Sequence, residues 1–180
     1  MYKELCKKIK PLIDKNKKVL ELGCGTGQLT IYLANSSKYW IATDFAHNMI
    51  KEAKKRFASN KVLFEVQDAT NLSSENKIFD IVVIANALHI MPEPNLALKE
   101  IKRVLKPDGI LIAPTFVNEA KINKLRLWLM ERMGFRTFYK WTSKEYVTFI
   151  ESEGFFVISN DIIAGKPLSE CVLVCQHRSL

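Results

Sequence analysis

Hydrophobic and polar positions along this chain follow two periods that take turns. Short runs rich in β-branched and aromatic residues, at 18–22, 39–43, 62–66, 79–85 and 110–115, predict five strands. Helical spacing fills the gaps. Residues 28–34 have helical character, and 47–57 carry an apolar stripe of Met49, Ile50, Ala53 and Phe57 against a wet face of Lys51, Lys54, Lys55 and Arg56. Asn95 suits the N-cap of a helix in which Leu98, Ile101 and Leu105 recur, and Lys106-Pro107-Asp108-Gly109 turns the chain out of it. A basic amphipathic helix opens the chain over 1–13, ending near Pro11. Residues 118–133 read as another helix, Thr142 and Glu145 as the capping box of a last one ending at Gly154. Two closing strands are expected at 155–163 and 171–176, around Gly165-Lys166-Pro167.

Strand and helix alternate five times, and the fourth and fifth strands are nearly continuous apolar runs. That is the pattern of a parallel sheet covered on both faces. The last connection is too short for a parallel crossover, which needs about a dozen residues, so the final two strands should be antiparallel to each other. The expectation is one α/β domain over residues 1–180, with 116–142 as a lid or substrate cover.

Ligands of open α/β sheets lie beyond the carboxyl ends of the strands. Four such ends carry polar or glycine-rich residues here: Gly23-Cys24-Gly25-Thr26-Gly27, then Asp44, then Gln67-Asp68-Ala69, then Asn86 and His89. Three glycines between a strand and a helix allow a tight turn and a close approach of backbone to ligand. Asp44 follows the first of them by 21 residues. That is the distance at which a carboxylate accepts from ribose hydroxyls, although a helix-capping role fits the same position. Asp68 is placed to accept from an exocyclic adenine amine, and Phe45 and Met49 to flank the ring.

Composition narrows the classes. At 180 residues there is room for one domain and a core without staples. No apolar run approaches the roughly 18–20 residues of a membrane helix, and the Lys-rich N-terminus lacks a secretory apolar stretch, so cytoplasm is the expected location. Cys6, Cys24, Cys171 and Cys175 show neither CxxC nor zinc spacing; all four are expected as free thiols, and no metal site is expected. The net charge of +8 comes from lysines spread at solvent-face spacing rather than from an arginine block, which makes nucleic acid the lesser reading.

The run Glu21-Leu22-Gly23-Cys24-Gly25-Thr26-Gly27 resembles the first motif of the class I S-adenosylmethionine-dependent methyltransferases. Thr43-Asp44-Phe45, Gln67-Asp68-Ala69, the stretch 79–89 and the helix-and-turn 96–109 are similar to successive parts of that family, over roughly residues 15–115. The likeness is greatest to its small-molecule branch, which includes ubiquinone and menaquinone biosynthesis enzymes. It implies a Rossmann-like three-layer αβα sandwich: a mostly parallel seven-stranded sheet with a C-terminal antiparallel hairpin. It further implies that Gly23, Gly25 and Gly27, with Cys24 between them, shape the methionine pocket of the cofactor. Glu21 would orient that loop and meet the cofactor's amino group. Asp44 would hold the ribose, Gln67, Asp68 and Ala69 the adenine edge, and the Asn86 backbone the methionine end. Ala46 stands where the family often carries serine, and the leader before the first strand is short, so cover over the site is expected to be reduced.

Since the sulfonium already activates the methyl group, position and electrostatics are what the protein must add. His89 is the candidate base where the acceptor starts protonated, and a structural loop histidine fits the same position. The acceptor pocket is expected from the segment after the fifth strand, with Trp128, Tyr139 and Trp141 as contacts on an aromatic, basic-rimmed cover that suits a flat or anionic small molecule; an extra core layer or dimer face fits the same residues. Three rivals remain at this stage. A nicotinamide oxidoreductase would show GxGxxG rather than GxGxG. A DNA amino-methyltransferase would show a D/N-P-P-Y/F pattern where Asn86-Ala87-Leu88-His89 stands, while RNA stays open because of the charge. A cofactor-binding protein without activity is the third.

Overall fold

The computed structural model describes residues 2–57, 59–118, 138–165 and 168–177. Seven strands form its sheet: β1 Lys18–Leu22, β2 Tyr39–Asp44, β3 Val62–Val66, β4 Phe79–Ile84, β5 Leu105–Val117, β6 Phe155–Ile163 and β7 Ser169–His177. Their order is β3-β2-β1-β4-β5-β7-β6. The pairs among β1 to β5 are parallel, and β7 runs antiparallel to both β5 and β6. The seven-stranded, mostly parallel sheet and its antiparallel end are thus as expected. The chain winds outward from β1 to β3, then returns to β4 on the other side of β1. A crevice therefore opens over the β1/β4 boundary, where successive connections diverge to opposite faces.

Five helices cover the two faces among the described residues: α1 Tyr2–Ile9, α2 Gln28–Leu33, α3 His47–Arg56, α4 Pro94–Val104 and α5 Ser143–Ser152. On one face Leu5 and Ile9 of α1, Leu29 and Leu33 of α2 and Ile50 and Ala53 of α3 close over Val19, Trp40, Val83 and Ile112. On the other, Leu98 and Ile101 of α4 and Tyr146 and Ile150 of α5 close over Leu20, Val82, Leu111 and Leu173. Alternate residues of one strand feed opposite cores, as the period of two demands. The buried Tyr146 hydroxyl donates to the Ala113 carbonyl at 3.0 Å, so a polar tip inside the second core has a partner.

Three local details differ from expectation. Asn95 does not cap α4; Glu93 precedes the helix without a side-chain cap, and Pro94 starts it, with φ preset and no N–H to satisfy. Leu105 already pairs with Phe79, so 106–109 are the irregular entry into β5 rather than a turn ahead of it; the register shifts between Phe79 and Ile81. Met49 is exposed, whereas Ile50 and Ala53 carry the burial of α3. The capping box at Thr142 and Glu145 forms in both directions. All four cysteines are free and buried, Cys171 and Cys175 in the same core. Apart from Asn118, the helix expected over 118–133 and most of the cover expected over 116–142 lie outside the described residues.

Candidate active site

A cavity of about 490 Å³ opens along the carboxyl edge of the sheet. Gly23, Asp44, Phe45, Gln67, Asp68 and Ala69, all named from the sequence, line it together. So do Thr43, Thr70, Ala87 and the stretch from Ile90 to Glu93, which the sequence did not single out. The volume suits a ligand of drug size or a nucleoside derivative. Met49 and Cys24 are not part of this lining; Cys24 is 8% exposed, and burial holds its thiol well above the ordinary range.

Asp44 ties the site together. Its Oδ2 accepts from the Gly25 N–H at 2.8 Å and its Oδ1 from the Ala46 N–H at 2.9 Å. One carboxylate therefore anchors both the glycine loop after β1 and the entry to α3. Asp44 does not cap α3, whose N-cap is Ala46 without a side-chain cap, but it braces the chain just before that helix and lines the cavity. A carboxylate offers about four lone-pair positions, so two backbone bonds leave capacity for two hydroxyls. Asp68 accepts from the Thr70 N–H and hydroxyl, both at 2.8 Å, and holds the turn after β3 against the same cavity.

The glycine loop needs glycine at two points in particular. Gly23 sits at φ +66, and a Cβ there would come within 2.9 Å of the Ala87 Cβ. The β1 and β4 loops touch at that point, which leaves no room for a methyl group. Gly25 sits at φ +55, and a Cβ there would meet nothing within 4 Å. Here it is the left-handed backbone and not crowding that selects glycine, and the loop surface beside it is bare.

Glu21 is 2% exposed and accepts from Thr30 Oγ1 at 2.6 Å and from Trp40 Nε1 at 2.8 Å. Burial pushes its pKa up to about 7, and the nearby Asp44 adds to the shift while the two hydrogen bonds oppose it. Glu21 thus locks β1 to α2 and β2. It is not among the residues lining the cavity.

Asn86 follows β4 at φ +54, an uncommon conformation for a residue other than glycine. Its N–H donates to Pro114 O at 2.8 Å, and its Nδ2 donates to Glu170 Oε1 at 2.7 Å. Glu170 is 1% exposed, and burial raises its pKa. Neither Asn86 nor Glu170 is among the residues lining the cavity, and nothing in the sequence signals the bond between them, because 84 positions separate the two.

His89 is 2% exposed; its Nδ1 lies 2.9 Å from Thr115 Oγ1, and its ring meets Phe116 edge-on. Burial pushes its pKa down to about 4. Its carbonyl accepts from the N–H groups of Phe138 and Tyr139 at 2.9 and 3.1 Å. The geometry gives this residue a holding role for the segment that returns to the sheet. Tyr139 and Trp141 stack at 4.7 Å, and the other rings near Trp141 are Phe149 at 4.9 Å and Tyr146 at 5.2 Å. The Tyr139 hydroxyl donates to Pro92 O on the cavity rim. Trp141 is therefore engaged with α5, and Trp128 lies outside the described residues.

A family model described as a methyltransferase domain matches residues 20–113, more than half of the chain. The protein belongs to that family. It carries a domain of the class I S-adenosylmethionine-dependent methyltransferase family, as the resemblance implied. Demethylmenaquinone methyltransferases of Lactobacillus johnsonii and Clavibacter sepedonicus are 40% identical over 114 residues and 36% identical over 101. Those stretches cover 59% and 56% of this chain but only 46% and 41% of the relatives, so less than half of each relative is matched. A chain of the Haloferax volcanii complex between a methyltransferase activator and its methyltransferase superposes with a TM-score of 0.83 at 18% identity, covering 99% of this chain and 89% of that one. The methyltransferase CalH in complex with S-adenosylhomocysteine superposes at 0.74 and 20%, covering 97% and 55%. The [4+2]-cyclase SpnF does so at 0.79 and 19%, covering 97% and 80%. At these identities the likeness concerns the fold.

In this methyltransferase the residues present fit the adenosyl donor. A bare loop surface at Gly25, two carboxylates on one cavity and a volume of nucleoside size meet what such a ligand requires. Among the described residues no group of three or more His, Cys, Asp or Glu stands where it would hold a metal ion. No described helix is long and apolar enough to cross a membrane.

Proposed function

We propose that the protein transfers a methyl group from S-adenosylmethionine to a small-molecule acceptor. The observation that carries this reading is the convergence of Gly23, Asp44 and Asp68, from three different loops, on one cavity. Asp44 takes the ribose hydroxyls and keeps the Gly25 loop in place with its other lone pairs. Asp68, with Gln67 and Ala69, takes the adenine edge, and the exposed Phe45 covers the ring. Gly23, Cys24, Gly25 and Gly27 leave backbone rather than side chain beside the methionine end, and Asn86 closes it from β4. Met49, exposed on α3, is the weaker ring contact.

The bound donor supplies an electrophilic methyl group on sulfur. The protein's own work is to align a nucleophile with it, which lowers a barrier by roughly 7–11 kcal/mol. Glu21 acts one step back, as a positioning residue that braces the glycine loop from below through Thr30 and Trp40. His89 positions the returning segment rather than taking a proton. The menaquinone-type relatives favour a flat, apolar acceptor, and the stretch matched to them is the donor-binding half. Tyr139, at the rim through Pro92, is the described residue nearest in role to the acceptor contacts expected from the sequence.

Calorimetry decides the donor: saturable one-to-one binding of S-adenosylhomocysteine, and none of NADH, is expected. A labelled-methyl assay on the small-molecule fraction of a cell extract decides the acceptor class; label appearing only in RNA would overturn it.

A further inference from the structure

Among the described residues, Asn86 and Glu170 leave two hydrogen-bond acceptors in the interior with no partner: Asn86 Oδ1 and Glu170 Oε2. A buried acceptor without a donor costs about 1–3 kcal/mol, more for a charged one, and such groups ask for an explanation. Backbone strain at the same residue, Asn86 at φ +54, is a second and independent sign of a functional position.

Strand order says which part of the site this is. Along the sheet edge, Asp68 follows β3, Asp44 follows β2, Gly23 follows β1 and Asn86 follows β4. Glu170 comes next, because β7 is antiparallel and its amino end lies at the carboxyl edge of the others, opposite Phe116 of β5. The adenosine end of the donor occupies the β3 and β2 positions on the reading above. On that reading, what lies past Asn86, toward β5 and β7, is the side left for the nucleophile.

We propose that Glu170, held in orientation by the Asn86 amide, accepts the proton of a methyl acceptor whose nucleophile is a hydroxyl or an N–H group. The Asn86 Nδ2 bond fixes Oε1 and leaves Oε2 free for that proton. In the step, the acceptor's O–H or N–H bond breaks and its proton passes to Oε2. The electron pair left on the acceptor forms the bond to the methyl carbon as the carbon–sulfur bond breaks, and the bonding pair of that carbon–sulfur bond stays on sulfur. Burial raises the carboxyl's proton affinity, as a base working near neutrality requires. The Asn86 bond and the N-terminal ammonium oppose that shift without reversing it. The titratable groups that face Glu170 from α1 are Tyr2 and Cys6; burial first, and then the Glu170 and Glu21 carboxylates, raise the pKa of both. His89, by contrast, is paired with Thr115, the strand position next to Phe116, and is a weak base.

The inference rests on the proposed methyl transfer, and the experiment separates the two. Glu170→Gln keeps an acceptor for the Asn86 amide and cannot take a proton; Glu170→Asp can. Calorimetry with S-adenosylhomocysteine comes first. Binding by the wild type and within twofold by both variants is expected. No binding by the wild type would sink the methyltransferase reading itself, and a loss beyond tenfold in Glu170→Gln would move Glu170 to the donor's ammonium and overturn the inference. An infrared pH titration of the free protein is the readout independent of turnover: Glu170→Gln should remove a protonated carboxyl band that persists above the ordinary carboxylate range. With the labelled donor and the small-molecule fraction of a cell extract, Glu170→Gln should lose about 100-fold or more and its pH dependence, with partial recovery in Glu170→Asp. An unchanged infrared band, or transfer by Glu170→Gln at the wild-type rate, overturns the proposal.

Discussion

Replacing Glu21 by Gln should make the stability of this protein more dependent on pH, not less. Glu21 is a buried acid whose pKa rises from 4.5 to about 7 on folding. The folded state therefore binds its proton more tightly than the unfolded chain does. The stability this contributes is fully present below about pH 4.5 and is lost as pH rises through about 7. At about 1.4 kcal/mol per pKa unit the loss is about 3 kcal/mol. His89 acts in the opposite sense. Its pKa falls from 6.5 to about 4, so its contribution is present above 6.5 and is lost as pH falls through about 4. That difference also amounts to about 3 kcal/mol. Between roughly pH 4.5 and pH 6.5 the two slopes cancel in the wild type. Glutamine keeps an oxygen for Thr30 and Trp40 but has no proton to lose, so in the variant the histidine slope is opposed only by Glu170, whose pKa burial also raises. Urea unfolding at a series of pH values should show the stability of Glu21→Gln climbing by up to about 3 kcal/mol from about pH 4.5 to about pH 6.5. The gap between wild type and variant should shrink by about as much by about pH 7.5. Parallel stability curves for the two proteins across that range would refute the argument, because they would mean that Glu21 stays ionised in the fold.

Asp44→Asn should weaken S-adenosylhomocysteine binding by about 10–100-fold, since a charged acceptor is lost at the ribose position; calorimetry measures it. Gly23→Ala should abolish that binding and lower the melting temperature, because the added methyl group meets Ala87 at 2.9 Å on a left-handed backbone. Thr142→Ala should cost about 1 kcal/mol in urea unfolding without changing donor affinity, since it removes the capping box of α5, which lies away from the cavity.

Most of the frame could be read along the chain. Period-two and period-3.6 patterns, the GxGxG turn and the short final connection are local signals, and six of the seven strands form within about two residues of the expected bounds, while β5 begins five residues early, at Leu105. The same holds for Gly23, Asp44, Gln67, Asp68 and Ala69, because each sits at a strand end and a parallel sheet places all such ends on one edge. Glu21 and His89 were legible as residues, and the loop-orienting part of the Glu21 reading with them, but their partners and their burial were not. Whether a carboxylate meets a ligand or braces a loop depends on Thr30 and Trp40, and whether an imidazole is a base depends on the burial around it.

The sequence by itself determined the order of elements, the antiparallel close and the edge where the glycine loop and the two carboxylates line one cavity, since each depends on residues close together in the chain. Only the tertiary structure decided that Glu170 stands 2.7 Å from an amide 84 positions earlier, that Trp141 is engaged in an aromatic stack, and that Asp44 holds two backbone segments at once. Such facts depend on which strands become neighbours and on how deeply side chains are buried. Both are properties of the packed sheet, and no window along the chain contains them.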